Sequence, residues 1–199
     1  MTPSALSNSI VRSLCLTSLV AVLLAGEVEG ALDLTATPED YVGEGIAYRR
    51  LVCKQDDKRL EFELPTGWNF RNVDRTRLQL IAPANTFAEG FIATEQLPPK
   101  PLPPEQALQL AAQQAMRSVP PASQGAILIS AEPGTSGPGG LESLDVTVSY
   151  KQMGHTFVRK TMWMNLPDER LVLQFTAPEA EFEKLYKSFR RTVFSWNRS

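Results

Sequence analysis

Cysteine and histidine are close to absent. The chain of 199 residues has two cysteines, Cys15 and Cys53, and a single histidine, His155. One histidine excludes metal centres built on several imidazoles, and so small a combined set excludes zinc sites made of several Cys and His ligands. A charge excess is also lacking. Lys+Arg 20 against Asp+Glu 22 leaves a net charge of -2. That balance gives no basic footprint for nucleic acid, and no run of one sign marks a charged tail. No apolar run reaches the roughly 20 residues that a spanning helix needs. No internal repeat is visible.

What is present begins with an export signal. Arg12 supplies a positive flank, and Leu14 to Ala25 form a short apolar core. Small residues precede Ala31, in Val28-Glu29-Gly30, with Ala25 before Gly26 as a second cleavage option. This is the layout of a secretory signal peptide over residues 1–30, and it predicts an exported protein, periplasmic or secreted, with no stable membrane span after cleavage. Leu24-Ala25-Gly26 is followed by Glu27 rather than by cysteine, so a lipid anchor is not expected. Cleavage removes Cys15. One thiol remains, no internal disulfide is possible, and the core alone must hold the fold. The remaining chain, about 170 residues, is long enough to bury roughly 70% of its unfolded surface. Cys53 reads as a buried structural thiol, with a reactive or intermolecular thiol as the alternative.

Residues 31–45 are polar and irregular and read as a flexible arm. Residues 46–199 read as a single domain. Tyr48 to Cys53 is a predicted strand, and Gln55-Asp56-Asp57-Lys58 a turn. Leu60, Phe62 and Leu64 alternate with Glu61 and Glu63, the pattern of a half-buried strand. Leu78 to Ile81 and Ala88 to Thr94 are two further strands. Leu97 to Pro104 is a stiff proline segment of polyproline II type. It runs into a helix over 104–118, where Leu108, Ala111, Ala112, Ala115 and Val119 form one stripe. Pro120-Pro121 stops that helix. Strands at 126–131, 144–150, 156–165 and 170–175 follow, joined by short turns into an antiparallel meander. Thr176-Ala177-Pro178-Glu179 fits a capping box. The helix after it carries Phe182, Leu185, Tyr186, Phe189 and Val193 on one face, acids at its start and bases at its end.

Signs of chemistry are few. Gly134-Thr135-Ser136-Gly137-Pro138-Gly139 lacks the glycine that a nucleophile elbow needs two residues after the serine. No Gly-Lys-Ser/Thr follows to make a phosphate loop. His155 falls in a predicted hairpin turn, a poor place to hold a base. Asp56-Asp57 and Asp168-Glu169 read as solvated turns, since calcium wants 6–8 oxygen ligands. The sequence therefore predicts no enzyme, no cofactor and no metal. Candidates for a binding surface are Trp68, Trp163, Ser136 and His155.

Leu60-Glu61-Phe62-Glu63-Leu64-Pro65-Thr66-Gly67-Trp68 resembles the opening strand of the PsbP/Mog/DcrB-like superfamily, where an apolar strand runs into Pro-x-Gly-Trp. Leu171 to Phe175 and the run from Phe182 to Ser188-Phe189 resemble that family's last strand and helix. The resemblance spans Tyr48 to Trp196. It implies an α+β fold, an antiparallel β-sheet flanked by helices on both faces (an α/β/α sandwich). It implies binding and assembly rather than catalysis, and it transfers no functional residue. The expected function is a non-catalytic exported binding or assembly module contacting another envelope protein. The alternative is a small-ligand-binding protein or hydrolase with a pocket near Trp68, Trp163 and the 133–140 loop.

Overall fold

Period-two patterning along the second half of the chain builds most of one large sheet. The computed structural model describes residues 32–55, 58–83, 86–136, 140–194 and 197–198. In chain order the elements are β1 (Ala36–Gly43), β2 (Ile46–Gln55), β3 (Lys58–Glu63), β4 (Asn69–Asp74), β5 (Arg77–Ile81), β6 (Glu89–Glu95), α1 (Pro104–Arg117), β7 (Gln124–Ser136), β8 (Leu141–Gln152), β9 (His155–Asn165), β10 (Arg170–Pro178), α2 (Glu179–Phe194) and β11 (Asn197–Arg198). The fold is α+β. A seven-stranded sheet runs β4-β5-β6-β10-β9-β8-β7, and a four-stranded sheet runs β1-β2-β3-β11. All pairings among the described residues are antiparallel.

Two buried clusters organise the interior. The first joins Phe62 of β3, Leu78 and Leu80 of β5, Met162 and Met164 of β9, Leu171 and Phe175 of β10, and Phe182 and Phe189 of α2. The second joins Ala111 and Ala115 of α1 to Val146, Val148 and Trp163. Alanines at that contact let α1 lie close to β8. Successive residues of β9 divide between the clusters, Met162 and Met164 in one and Trp163 in the other, as the two-residue period of a strand requires. Gly90 of β6 has no Cβ for a spatial reason. A methyl group there would lie 2.4 Å from the Phe189 ring.

Three expectations are corrected and one strand, β4, is added. Residues 31–45, read as a flexible arm, contain β1, which pairs with β2 from Ala36↔Cys53 to Gly43↔Ile46. Its polar composition hid the strand, because much of what holds it is polar: Arg49 to Asp40 at 2.9 Å, Arg59 to Glu39 at 2.8 Å, and the Tyr41 hydroxyl donating to Glu63 at 2.8 Å. Ahead of it, Leu32 and Leu34 are buried in the first cluster. Second, β4 has no signature in the sequence, because nearly all its residues are exposed and no alternation is visible. Third, the glycine loop is strand through Ser136, with Gly134 opposite Ser143 and Ser136 opposite Leu141. Gly137, Pro138 and Gly139 lie outside the described residues. Fourth, Thr176 is no helix cap. It belongs to β10, and its hydroxyl accepts the Arg159 Nε–H at 2.9 Å. The signal-peptide region, Asp56-Asp57 and Trp196 also lie outside the described residues.

The turns follow local chemistry. Met153 (φ 50) and Gly154 (φ 79) join β8 to β9, and Glu44 (φ 52) and Gly45 (φ 79) join β1 to β2. Positive φ at both central residues is what a tight hairpin of type I′ demands.

Cys53 is fully buried in the first cluster. Burial, and secondarily the charge of Asp33, push its thiol up to about 12. Below about pH 8.5 both folded and unfolded chains hold this proton; above it the folded state alone does, so stability falls as pH rises toward 12. Native protein at pH 8 is expected to leave Cys53 unmodified by a maleimide until urea is added. The urea midpoint is expected to fall between about pH 9 and 11, and Cys53→Ala to make that fall shallower. Tyr150 and Tyr186, raised chiefly by burial, contribute the same sign and keep part of the slope. Rapid labelling of the native protein would refute the assignment.

Candidate functional site

The four candidates are scattered. Trp68 is buried in the first cluster, its ring 6.2 Å from that of Phe175. Trp163 is buried in the second, against α1. The two tryptophans therefore share no pocket, and packing explains both. Ser136 ends β7 with its backbone paired to Leu141. His155 is the exposed first residue of β9, with its ring 6.0 Å from that of Phe87. Among the described residues no three His, Cys, Asp or Glu side chains gather to hold a metal.

Glu169 departs from the expected solvated turn. It is only 3% exposed, and its carboxylate accepts the Leu32 N–H at 2.8 Å. The acid thus ties the chain ahead of β1 to the start of β10, and its burial is structural.

A cavity of about 500 Å³ opens beyond the end of α1. Strand register builds it. Thr176 of β10 stands opposite Glu89 of β6 on one side and opposite Arg159 of β9 on the other. Phe157 and Arg159 are two residues apart on β9 and so point the same way. Gln79 and Ile81 of β5 extend the same floor, while Phe87 and Met153 stand at its rim, both well exposed.

Arg159 dominates the electrostatics. Its side chain lines the cavity, yet the residue is only 6% exposed. Nε donates to Thr176 Oγ1 at 2.9 Å, and Nη2 donates to the Tyr150 hydroxyl at 3.2 Å. Nη1 donates to the Ser118 carbonyl and faces Ser118 Oγ at 3.4 Å. Ser118 is the C-cap of α1, where aligned peptide dipoles leave partial negative charge that favours a cation. No carboxylate lies within ion-pair distance of Arg159 among the described residues. Opposite it, Glu89 Oε2 accepts the Gln79 Nε2–H at 2.9 Å, and Gln79 Oε1 is buried with no hydrogen-bond partner among the described residues.

A second feature lies at the sheet margin. β7 is an edge strand. Its Ile127, Leu128 and Ile129 are 55%, 46% and 56% exposed. Register shifts between Gln124 and Ile127 and between Leu128 and Ser130 interrupt its ladder with β8 there. Edge strands normally avoid a run of exposed aliphatics, because their free N–H and C=O groups template pairing with other chains.

No family model matches the sequence, and no curated protein does. Solved structures do. Cyanobacterial PsbP from Synechocystis sp. PCC 6803 superposes with a TM-score of 0.52 at 12% identity, covering 82% of this chain and 94% of that one. The fold is PsbP-like. PA94, a protein of unknown function from Pseudomonas aeruginosa, gives 0.46 at 11% identity, covering 79% and 94%. LpqN of Mycobacterium tuberculosis, involved in cell envelope biogenesis, gives 0.43 at 17% identity, covering 82% and 90%. At these identities the PsbP-like likeness concerns architecture and carries no residue role across. No helix among the described residues is long and apolar enough to cross a membrane.

Sequence reasoning missed Arg159, although a signal existed. Phe157, Arg159, Thr161 and Trp163 share one face of β9 by the two-residue period, and a lone arginine on so buried a face marks a polar network.

Proposed function

We propose that this chain is an exported, non-catalytic binding module that contacts another envelope protein through the β7 edge, with its helices on opposite faces of the seven-stranded sheet. The observation that carries the reading is the exposed Ile127-Leu128-Ile129 run on an edge strand whose ladder is already interrupted. Strand addition suits such an edge: main-chain hydrogen bonds supply affinity, and pockets for alternate side chains supply specificity. The division of β9 residues between the α1 and α2 clusters supports the two-faced arrangement. The apolar core of residues 14–25 supports export.

Site-specific photo-crosslinking tests this. A crosslinker at Ile129, compared with one at the exposed Glu183 of α2, is expected to give a discrete adduct in the exported fraction from position 129 alone. Ile127→Lys is expected to reduce that adduct by about tenfold, the size of effect expected when a charge enters an apolar contact. Identical patterns from both positions would end the reading. An adduct of twice the chain mass would replace the envelope partner with a second copy.

A further inference from the structure

The cavity beyond the end of α1 is lined by no residue of β7 and supports an independent reading. Its polar groups are sorted by function. At one pole Arg159 offers donors: Nη2 bonds Tyr150 through one N–H, and its second N–H has no acceptor among the described residues. At the other pole Glu89 and Gln79 offer acceptors, and Gln79 Oε1, on a residue 8% exposed, has no donor among the described residues. No ion pair joins the poles among the described residues. Glu89 and Arg159 are one strand apart on either side of Thr176. Their backbones are therefore roughly 10 Å apart at ordinary strand spacing, with the short Thr176 between them; Arg159 Nε bonds Thr176, and the Glu89 carboxylate bonds Gln79 of β5. The walls between are apolar, from Phe157, Ile81 and Phe87. Arg71 of β4, opposite Gln79, adds an exposed cation at the rim. A volume of about 500 Å³ is in the range of small-molecule sites.

We infer that this cavity binds a small zwitterion of the α-amino-acid class, its carboxylate toward Arg159 and Tyr150, its ammonium toward Glu89 and Gln79 Oε1, and its side chain against Phe157, Ile81 and Phe87. A ligand carrying one charge satisfies one pole and leaves the other as it stands. A zwitterion gives the orphaned Gln79 oxygen an N–H and gives Arg159 the carboxylate that it lacks.

Isothermal titration calorimetry of the purified protein tests this with L-leucine, its deaminated acid and its decarboxylated amine. Leucine is expected to bind, and each singly charged analogue to bind about tenfold more weakly or worse, the cost of losing one charge-assisted hydrogen-bonded contact. Glu89→Gln sits at the partly exposed pole and should fold. It is expected to weaken leucine by about tenfold while leaving the acid unchanged. Gln79→Leu is the second variant and should weaken leucine but not the acid. Absence of heat with leucine and with a panel of other α-amino acids would overturn the assignment. So would an acid that binds as tightly as leucine, or leucine binding indifferent to both variants. Loss of the β7 crosslink leaves all of these readouts in place, so the two proposals fail separately.

Discussion

Phe175→Ala is expected to cost about 3–5 kcal/mol of stability, the range for deleting a buried phenyl ring. The ring is wholly buried at the contact between β10 and α2. Its centroid lies 5.1 Å from that of Phe189, 5.6 Å from Phe182, 5.8 Å from Tyr186 and 6.2 Å from Trp68. Removing it takes one member from four aromatic pairs, each able to add about 0.5–1.5 kcal/mol beyond its burial. The surrounding rings cannot collapse far into the gap, because Gly90 already lets Phe189 sit against the backbone of β6. Urea unfolding should therefore show a lower midpoint with little change in slope, and Tm should drop by on the order of 10 °C. A loss below about 1 kcal/mol would mean that α2 is not anchored through this stack.

Much of that anchorage is legible in the sequence. Phe182, Leu185, Tyr186 and Phe189 announce a helix with one apolar face, and Leu171, Leu173 and Phe175 announce a strand with one apolar face. Two periodicities that both demand burial have few ways to be satisfied. β1 and β4 were not legible for the converse reason. β1 depends on Arg49, Arg59 and Tyr41 finding Asp40, Glu39 and Glu63 across strands, and such pairing leaves no trace in local hydropathy. β4 presents mostly exposed side chains. Thr176 shows the limit of a local motif. Its spacing to Glu179 satisfies the capping box, yet a buried guanidinium from β9 takes its hydroxyl instead. A tertiary hydrogen bond to a charged group outweighs a cap that contributes about 1 kcal/mol.

The candidate site was less legible still. Tryptophan, histidine and a glycine-rich run attract attention in a sequence because they are rare. Here Trp68 and Trp163 fill two separate clusters, and His155 sits exposed at a strand start. Ligand-competent groups come instead from β5, β6, β8, β9 and β10, brought together by strand order. Glu89, Thr176 and Arg159 form one row only because β10 lies between β6 and β9. That order depends on long-range pairing, which one-dimensional spacing does not contain.

Arg159→Lys is expected to be more damaging than Arg159→Met, the reverse of what charge conservation suggests. The guanidinium donates in three directions at once, to Thr176 on β10, to Tyr150 on β8 and to Ser118 at the end of α1. A lysine ammonium is a single point on a flexible stem and cannot reproduce that fork. The charge would then remain buried with fewer partners, and each hydrogen bond lost to a charged group costs about 1.5–3 kcal/mol. Methionine also loses the bonds, but it removes the buried charge and with it a desolvation penalty of several kcal/mol. Its thioether body is suited to filling the space against Phe157. Chemical denaturation should place Arg159→Lys at least about 1.5 kcal/mol below the parent, with Arg159→Met between them. Hydrogen exchange adds a readout specific to the strut: amides in the last turn of α1, near Gln114 to Ser118, should lose protection in both variants while β10 near Leu171 keeps it. If lysine proves the better tolerated residue, charge rather than geometry is what this position requires.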